Sequence, residues 1–169
     1  MATRTGLLDV QQLRDAAQVW PFDFFIPTIP NASGTRDLTI KCQSVDMPGR
    51  SIEEVDVSLH GVTIKQAGRL TFSHQLNATF LETIDWSTRD KFLNWSEFTQ
   101  SWKNNSGAVS ASYKVNAAIA AYDMTPTLTR QCQVYGLWLR EFGDIQLNGA
   151  ESSTVNAPAG FTYDYWDDE

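Results

Sequence analysis

Arg69-Leu70-Thr71-Phe72-Ser73-His74-Gln75-Leu76-Asn77-Ala78-Thr79-Phe80-Leu81 sets Leu70, Phe72, His74, Leu76, Ala78 and Phe80 on one side of an extended chain. Thr71, Ser73, Gln75, Asn77 and Thr79 fall on the other. This is the period of a β-strand, whose successive side chains point to opposite faces. As one uninterrupted strand it would run roughly 40 Å at ~3.3 Å per residue, well beyond the usual length. The pattern predicts one face in a core and one small, polar face against water. Sheets that curl into a barrel or wall present such a face, so Thr71, Ser73, Gln75, Asn77 and Thr79 are candidates for lining a lumen or another wet surface.

Working outward, more strands precede and follow. Phe22–Ile26 is an apolar strand bounded by Pro27 and Pro30, and Leu38, Ile40 and Cys42 alternate with polar neighbours up to Met47-Pro48-Gly49. Arg50–Gly68 places Val55, Val57 and Leu59 opposite Glu54, Asp56 and Ser58, with Gly61 and Gly68 as punctuation. That segment reads as a projecting hairpin or long loop over 46–68. Downstream, Tyr113–Tyr122, Gln131–Arg140 and Asp144–Leu147 read as strands, Asn148-Gly149 as a turn, and Phe161, Tyr163 and Tyr165 as a final strand in a C-terminal strand and acidic tail over 157–169. One main helix is expected at about 86–103, with Ser87 and Asp90 as a capping box and Phe92, Trp95, Phe98 and Trp102 on the face that packs on a sheet. A shorter helix or arm is expected within 1–20, where Leu7, Val10, Leu13 and Ala17 recur at helical spacing and Pro21 stops continuation. The sum is a mainly β chain of six to eight strands: an antiparallel β-sandwich or barrel-like subunit with one flanking α-helix, in a single domain spanning 1–169.

Composition narrows the function. The 169 residues carry a formal net charge of -7, which argues against binding nucleic acid by neutralising phosphates and against adhesion to anionic membranes. No apolar run approaches the ~20 residues needed to cross a bilayer. Residues 1–8 lack the apolar core of a signal peptide, so a cytoplasm-made chain without a membrane anchor is expected. The N-x-S/T sites at Asn31, Asn77, Asn94 and Asn104 then read as accidental, and Cys42 and Cys132 as reduced core thiols.

Catalytic signatures are missing: the sequence contains no P-loop, G-x-G-x-x-G, G-x-S-x-G or H-E-x-x-H motif. Of the two histidines, His74 sits on an apolar strand face and His60 beside Gly61 in a loop. The first reads as a satisfied core or interface residue and the second as exposed or in contact. Asp85 with Asp90, and Glu53 with Glu54, read as helix-end charge and a solvated edge. No cofactor, metal or catalytic set is expected.

Several motifs in order resemble the tail tube proteins of contractile-tailed bacteriophages. They are the entry strand Phe22–Ile26, the Leu38–Val45 segment ending in Met47-Pro48-Gly49, and the helix opening Lys91-Phe92-Leu93-Asn94-Trp95. Tyr135-Gly136-Leu137-Trp138, Gly143-Asp144-Ile145-Gln146-Leu147 and Asp164-Tyr165-Trp166 complete the set. The resemblance implies a structural subunit without enzymatic activity. Six copies would form a ring whose sheets join into a continuous inner β-barrel, and rings would stack into a hollow tube. The implied partners are further copies of the chain, a contractile sheath protein outside, baseplate and tail terminator at the ends, and tape-measure protein and passing DNA in the lumen. Its place would be the virion tail, assembled in the host bacterial cytoplasm. Two departures qualify the match: Ala157-Pro158-Ala159-Gly160 interrupts the last strand, implying shorter pairing, and Arg50–Gly68 matches in position more than in residues.

Met47, Pro48, Gly49, Arg50, Val55, His60 and Ile64 are accordingly expected to contact the neighbouring ring. Leu7, Leu13 and Trp20 in the N-terminal arm, with Tyr165 and Trp166 in the tail, are expected to dock on neighbouring subunits. The nearest alternative is a tube protein of a type VI secretion or phage-like injection particle carrying effectors. A small-molecule-binding barrel of lipocalin type would require an enclosed apolar cavity.

Overall fold

A computed structural model of the chain describes residues 17–150 and 152–169. In chain order the elements are β1 (Phe22–Phe25), α1 (Arg36–Lys41), β2 (Cys42–Val45), β3 (Arg50–Leu59), β4 (Val62–Phe72), β5 (Gln75–Leu81) and α2 (Ser87–Thr99). There follow β6 (Gln100–Ser101), β7 (Ser106–Gly107), α3 (Ser110–Tyr113), β8 (Val115–Tyr122), β9 (Leu128–Phe142), β10 (Asn156–Thr162) and β11 (Tyr165–Asp168). The architecture is mainly β and antiparallel, as the alternation implies. The strands are more numerous than six to eight, because short segments also pair and the expected final strand is two.

The alternating stretch 69–81 does fold as strand, but in two pieces. His74 takes a left-handed conformation (φ 54) and breaks it after Phe72. The half before the break belongs to the β3–β4 hairpin, and the half after it is a central strand of the main sheet. The path through that seven-stranded sheet is β1-β8-β9-β10-β5-β2, with β11 also pairing with β9.

β9 joins two halves of this sheet. Over its 15 residues, the stretch up to Leu137 pairs with β8, and Cys132–Tyr135 also pairs with β11. Beyond it, Trp138–Phe142 pairs with β10. The turnover falls at Gly136, whose φ of 69 suits glycine. A Cβ there would stand 2.1 Å from Asp164 Oδ2.

The inward faces of both halves meet α2. Phe80 on β5, Phe161 on β10, Phe24 on β1, and Phe92 and Trp95 on α2 are all buried. Their rings meet mostly edge-on or tilted, as with Phe80–Phe92 at 5.1 Å and Trp95–Phe161 at 6.0 Å. Such edge contacts add to the burial term of each aromatic. The indole N–H of Trp95 donates to the Tyr113 carbonyl at 3.1 Å, so its polar atom is satisfied inside the core.

Several expectations are corrected. Leu38, Ile40 and Cys42 do not share a strand. Residues 36–41 are helix, with Leu38 and Lys41 inward and Ile40 outward, and only Cys42–Val45 is extended. The main helix ends at Thr99, so Trp102 lies beyond it and is 79% exposed. Ser87 and Asp90 form no capping box. The buried carboxylate of Glu82 instead accepts the backbone N–H groups of Thr88 (3.2 Å) and Arg89 (2.9 Å), satisfying donors that a helix start leaves free. Tyr113 closes the short helix α3 rather than opening a strand, and 144–147 is irregular.

Ala157–Gly160 does not interrupt its strand either: β10 pairs with β5 from Asn156 to Thr162. Gly143 N–H donates to the Pro158 carbonyl at 2.9 Å. This puts the carbonyl, and hence the missing N–H, of Pro158 on the side away from β5, so the proline costs that ladder no bond.

Candidate assembly surfaces

The β3–β4 hairpin is exposed along nearly its whole length and turns at His60-Gly61. Both turn residues have positive φ (51 and 78), as a tight two-residue hairpin turn requires. Pairing of Val55 with Gln66, Val57 with Ile64 and Leu59 with Val62 collects these aliphatic side chains on one face of the tip. Glu54, Asp56 and Ser58, across from Ala67, Lys65 and Thr63, form the opposite face, where Lys65 is ion-paired with Glu54. The tip is therefore amphipathic, and Val62 is 62% exposed on its apolar side. A bulge between Ile52 and Glu54 adjusts the register at mid-length.

Its root is held by aromatic rings. Phe72 meets Trp166 of β11 edge-on at 6.2 Å and His74 at 6.0 Å. His74 Nδ1 lies 3.0 Å from the Tyr163 carbonyl, and the Tyr163 N–H donates back to His74 O at 3.3 Å.

Beside the root lies a polar sheet face. Gln75, Asn77 and Thr79 on β5 stand across from Thr162, Gly160 and Pro158 on β10. Asn77 Nδ2 donates to Asp46 Oδ2 at 3.0 Å. Thr71 and Ser73 are not on this face: Thr71 bonds Ser51 within the hairpin, and Ser73 sits in the break next to the Tyr163 hydroxyl. This sheet half ends at β2 on one edge. On the other, Trp138–Phe142 pairs with β10 and with no further strand among the described residues.

Of the other residues singled out, Pro48 is buried, while Met47, Gly49 and Arg50 are exposed where the chain enters the hairpin. Val55, His60 and Ile64 lie on the hairpin. Trp20 is exposed at the start of the described chain, and Leu7 and Leu13 lie outside the described residues. The tail is a strand of its own subunit: Tyr165 stacks on Tyr135 with ring centroids 4.6 Å apart, and Trp166 packs on Phe72. Arg130 pairs with Asp168, and Lys114 with Asp164 at 2.7 Å.

Sequence reasoning missed a cleft at the far end of β5, lined by Trp86, Arg89, Asp90, Asp144, Ile145 and Leu147. Ile84, 100% exposed, lines a separate open cleft with Asp37, Lys41, Glu82, Thr83, Asp85 and Ser87. The sequence signal for the two clefts is an isolated pair of apolar residues, Ile84 and Trp86, in an otherwise polar loop. Nearby, Lys41 Nζ is held by Asp37 (2.9 Å), Thr83 (2.8 Å) and Ser87 (2.7 Å), which ties α1 to the loop ahead of α2. Asp37 also takes Lys91 at 3.0 Å. Desolvation pushes the Asp37 carboxyl up, but the hydrogen bonds from Lys41 and Lys91 outweigh it and hold it below the usual value.

Burial pushes the Cys42 thiol up to about 12 and the Cys132 thiol to about 11, so both are poor nucleophiles. No group of His, Cys, Asp or Glu among the described residues could hold a metal ion, and no described helix is long and apolar enough to cross a membrane.

This fold is shared with chains of contractile injection machines. A chain of the sheath–tube complex of an extracellular contractile injection system (PVC), in its extended state, superposes with a TM-score of 0.66 at 11% identity, covering 98% of this chain and 99% of that one. A chain of the anti-feeding prophage tube-terminating cap does so with a TM-score of 0.65 at 8% identity, covering 93% of each. The chain belongs to the phage tail tube protein family, whose sequence profile matches residues 21–168. Tail tube protein gp19 of Enterobacteria phage T6 is 24% identical over 135 residues, 78% of this chain and 82% of that protein. The same protein of Enterobacteria phage T4 matches to the same extent.

Proposed function

We propose that this chain is the repeating subunit of a phage tail tube, a structural protein that acts by polymerising. The observation that carries the proposal is a sheet half with a polar outer face and, among the described residues, an unpaired strand edge on each side, next to a hairpin that no other described residues cover. Free edges and bare hairpins attract other chains. Pairing β2 of one copy with Trp138–Phe142 of the next extends the sheet around a ring, and six copies close it into an inner barrel. The face of Gln75, Asn77 and Thr79 then lines the bore. Neutral amides and hydroxyls hydrate such a wall without gripping phosphates, and the acidic subunit gives passing DNA no counter-charge.

Ring stacking is a head-to-tail contact that does not close, so it grows a filament. Residues 47–68, and the Leu7–Trp20 arm with Tyr165 and Trp166, reach neighbouring subunits in this arrangement. A contractile sheath encloses the tube, baseplate and terminator cap its ends, and the tape-measure protein occupies the lumen before DNA passes. Assembly takes place in the host cytoplasm, and the finished tube belongs to the virion tail. The relatives found by sequence are phage tail tube proteins, which favours genome delivery over carriage of effectors.

Electron microscopy of the concentrated protein is the direct test. Stacked rings or tubes are expected, and monomers under all conditions would overturn the reading. A variant joining Glu54 to Ala67 through Asn-Gly should keep its circular dichroism and thermal transition yet form no tubes. Tubes of normal length from that variant would remove the hairpin from the stacking contact.

A further inference from the structure

We infer that His74 is a positioning residue for assembly: its imidazole, bonded to the Tyr163 carbonyl, sets the angle at which the β3–β4 hairpin leaves the sheet. The angle belongs to the single subunit, and only its consequence for assembly rests on the tube reading.

Among the described residues the hairpin strands pair with each other and with no other strand. The two short connections at the root therefore decide where the hairpin points. The incoming one, Met47-Pro48-Gly49, follows Asp46, which is bonded to Asn77. Pro48 is buried, but Met47 and Gly49 are exposed, and a Cβ added to Gly49 would meet nothing within 4 Å. The outgoing connection is Ser73 and His74 alone, between Phe72 at the end of β4 and Gln75 at the start of β5.

This outgoing pair is held from several sides. His74 has φ 54, and a non-glycine residue persists in the left-handed region only where its surroundings hold it. Tyr163 does the holding. Its N–H donates to the His74 carbonyl at 3.3 Å, and its own carbonyl lies 3.0 Å from His74 Nδ1. A carbonyl oxygen only accepts, so Nδ1 bears the proton. Tyr163 is buried and falls in the gap between β10 and β11, where the imidazole gives its carbonyl a partner. The Ser73 hydroxyl stands 3.3 Å from the Tyr163 hydroxyl, and Phe72 meets the His74 ring edge-on at 6.0 Å. The imidazole thus joins the last ring of the hairpin to a fixed point of the core.

A restraint at this place has long leverage. β3 is 10 residues long. At ~3.3 Å per residue the arm reaches about 33 Å, so a swing of about 10° at the root moves the tip by roughly 6 Å. Residues at the ends of elements are where such swings occur, and an arm free to swing must be ordered whenever it docks.

Pulsed electron paramagnetic resonance between spin labels at Ser58→Cys, near the tip, and Ser96→Cys, on α2, measures the angle in the free subunit. Cys42 and Cys132 stay in place, because burial raises both thiols and leaves them slow to label. His74→Gly keeps a backbone at ease with positive φ but removes the ring. His74→Asn tolerates the same conformation and puts an amide donor, one bond beyond Cγ, where Nδ1 stands. The parent and His74→Asn are expected to give one narrow distance distribution. His74→Gly is expected to give one about twice as broad or more, as a released hinge does, with an unchanged thermal transition. A His74→Gly distribution as narrow as the parent's, or a His74→Asn distribution as broad as that of His74→Gly, would overturn the inference.

In assembly, His74→Gly is expected to raise the concentration needed for tube growth about tenfold, the cost of ordering the arm on docking, and His74→Asn to restore the parent value. Growth of His74→Gly at the parent concentration, despite a broadened distribution, would remove the residue's role in assembly. A parent chain that forms no tubes would defeat the tube reading, while the distance measurement would still decide what holds the hairpin.

Discussion

Asp37 shows how single residues hold the ends of this fold together. Its carboxylate takes both Lys41 and Lys91, linking α1 to α2, and those bonds keep its acid form disfavoured in the folded chain. A carboxyl depressed on folding contributes stability above the unfolded value, near 3.9, and loses it as pH falls through the folded value. Asp37→Asn should therefore be less stable than the parent at pH 7, with the gap closing towards pH 3. Urea midpoints at the two pH values measure this directly. A gap that widens on acidification would mean that Asp37 is not the partner that matters to Lys41, which is itself buried.

At the scale of elements, β9 carries the largest constraint, because one strand must serve two sheet halves. Gly136 makes the passage with a positive φ and with the Asp164 side chain in the space where a Cβ would stand. Gly136→Ala adds backbone strain and forces Asp164 away from Lys114, so a loss of about 1–3 kcal/mol is expected. It should appear as a lower urea midpoint at unchanged slope. An alanine variant as stable as the parent would place the bend elsewhere.

The elements legible in the sequence are those whose burial is one-sided and continuous. β5 shows Leu76, Ala78 and Phe80 inward, α2 shows Phe92 and Trp95, and the hairpin shows Gly61 at its turn. The errors have physical causes. Leu38, Ile40 and Cys42 mimic a strand, yet Leu38 and Lys41 are three apart on the buried side of a helical turn. The Asp37–Lys41 pair, at helical spacing, was the overlooked signal. The break at His74 leaves no trace in the alternation, because polar and apolar residues continue in phase while their partners change from β3 to β10. That phase groups Thr71 and Ser73 with Gln75, Asn77 and Thr79 in the sequence, although the fold separates them. The cleft of Trp86 and Leu147 joins residues distant in the chain and has no local pattern to betray it.

For the whole molecule, charge decides how the proposed assembly responds to its medium. Each subunit carries a formal net charge of -7, so bringing copies into rings and rings into a tube works against like-charge repulsion. The contacts argued for stacking are apolar and for closure are backbone ladders, neither of which weakens when charges are screened. Salt shortens the range of the repulsion from about 30 Å at 0.01 M to about 8 Å at 0.15 M. Tube growth followed by light scattering should consequently speed up across that range. A nucleic-acid-binding assembly would do the reverse, since its contacts loosen steeply with salt. The same property predicts that assembled tubes leave the mobility of double-stranded DNA fragments unchanged at low salt. Retarded fragments, or growth that slows as salt rises, would show that cationic patches outweigh the net charge and that the bore is not the neutral, hydrated wall of Gln75, Asn77 and Thr79.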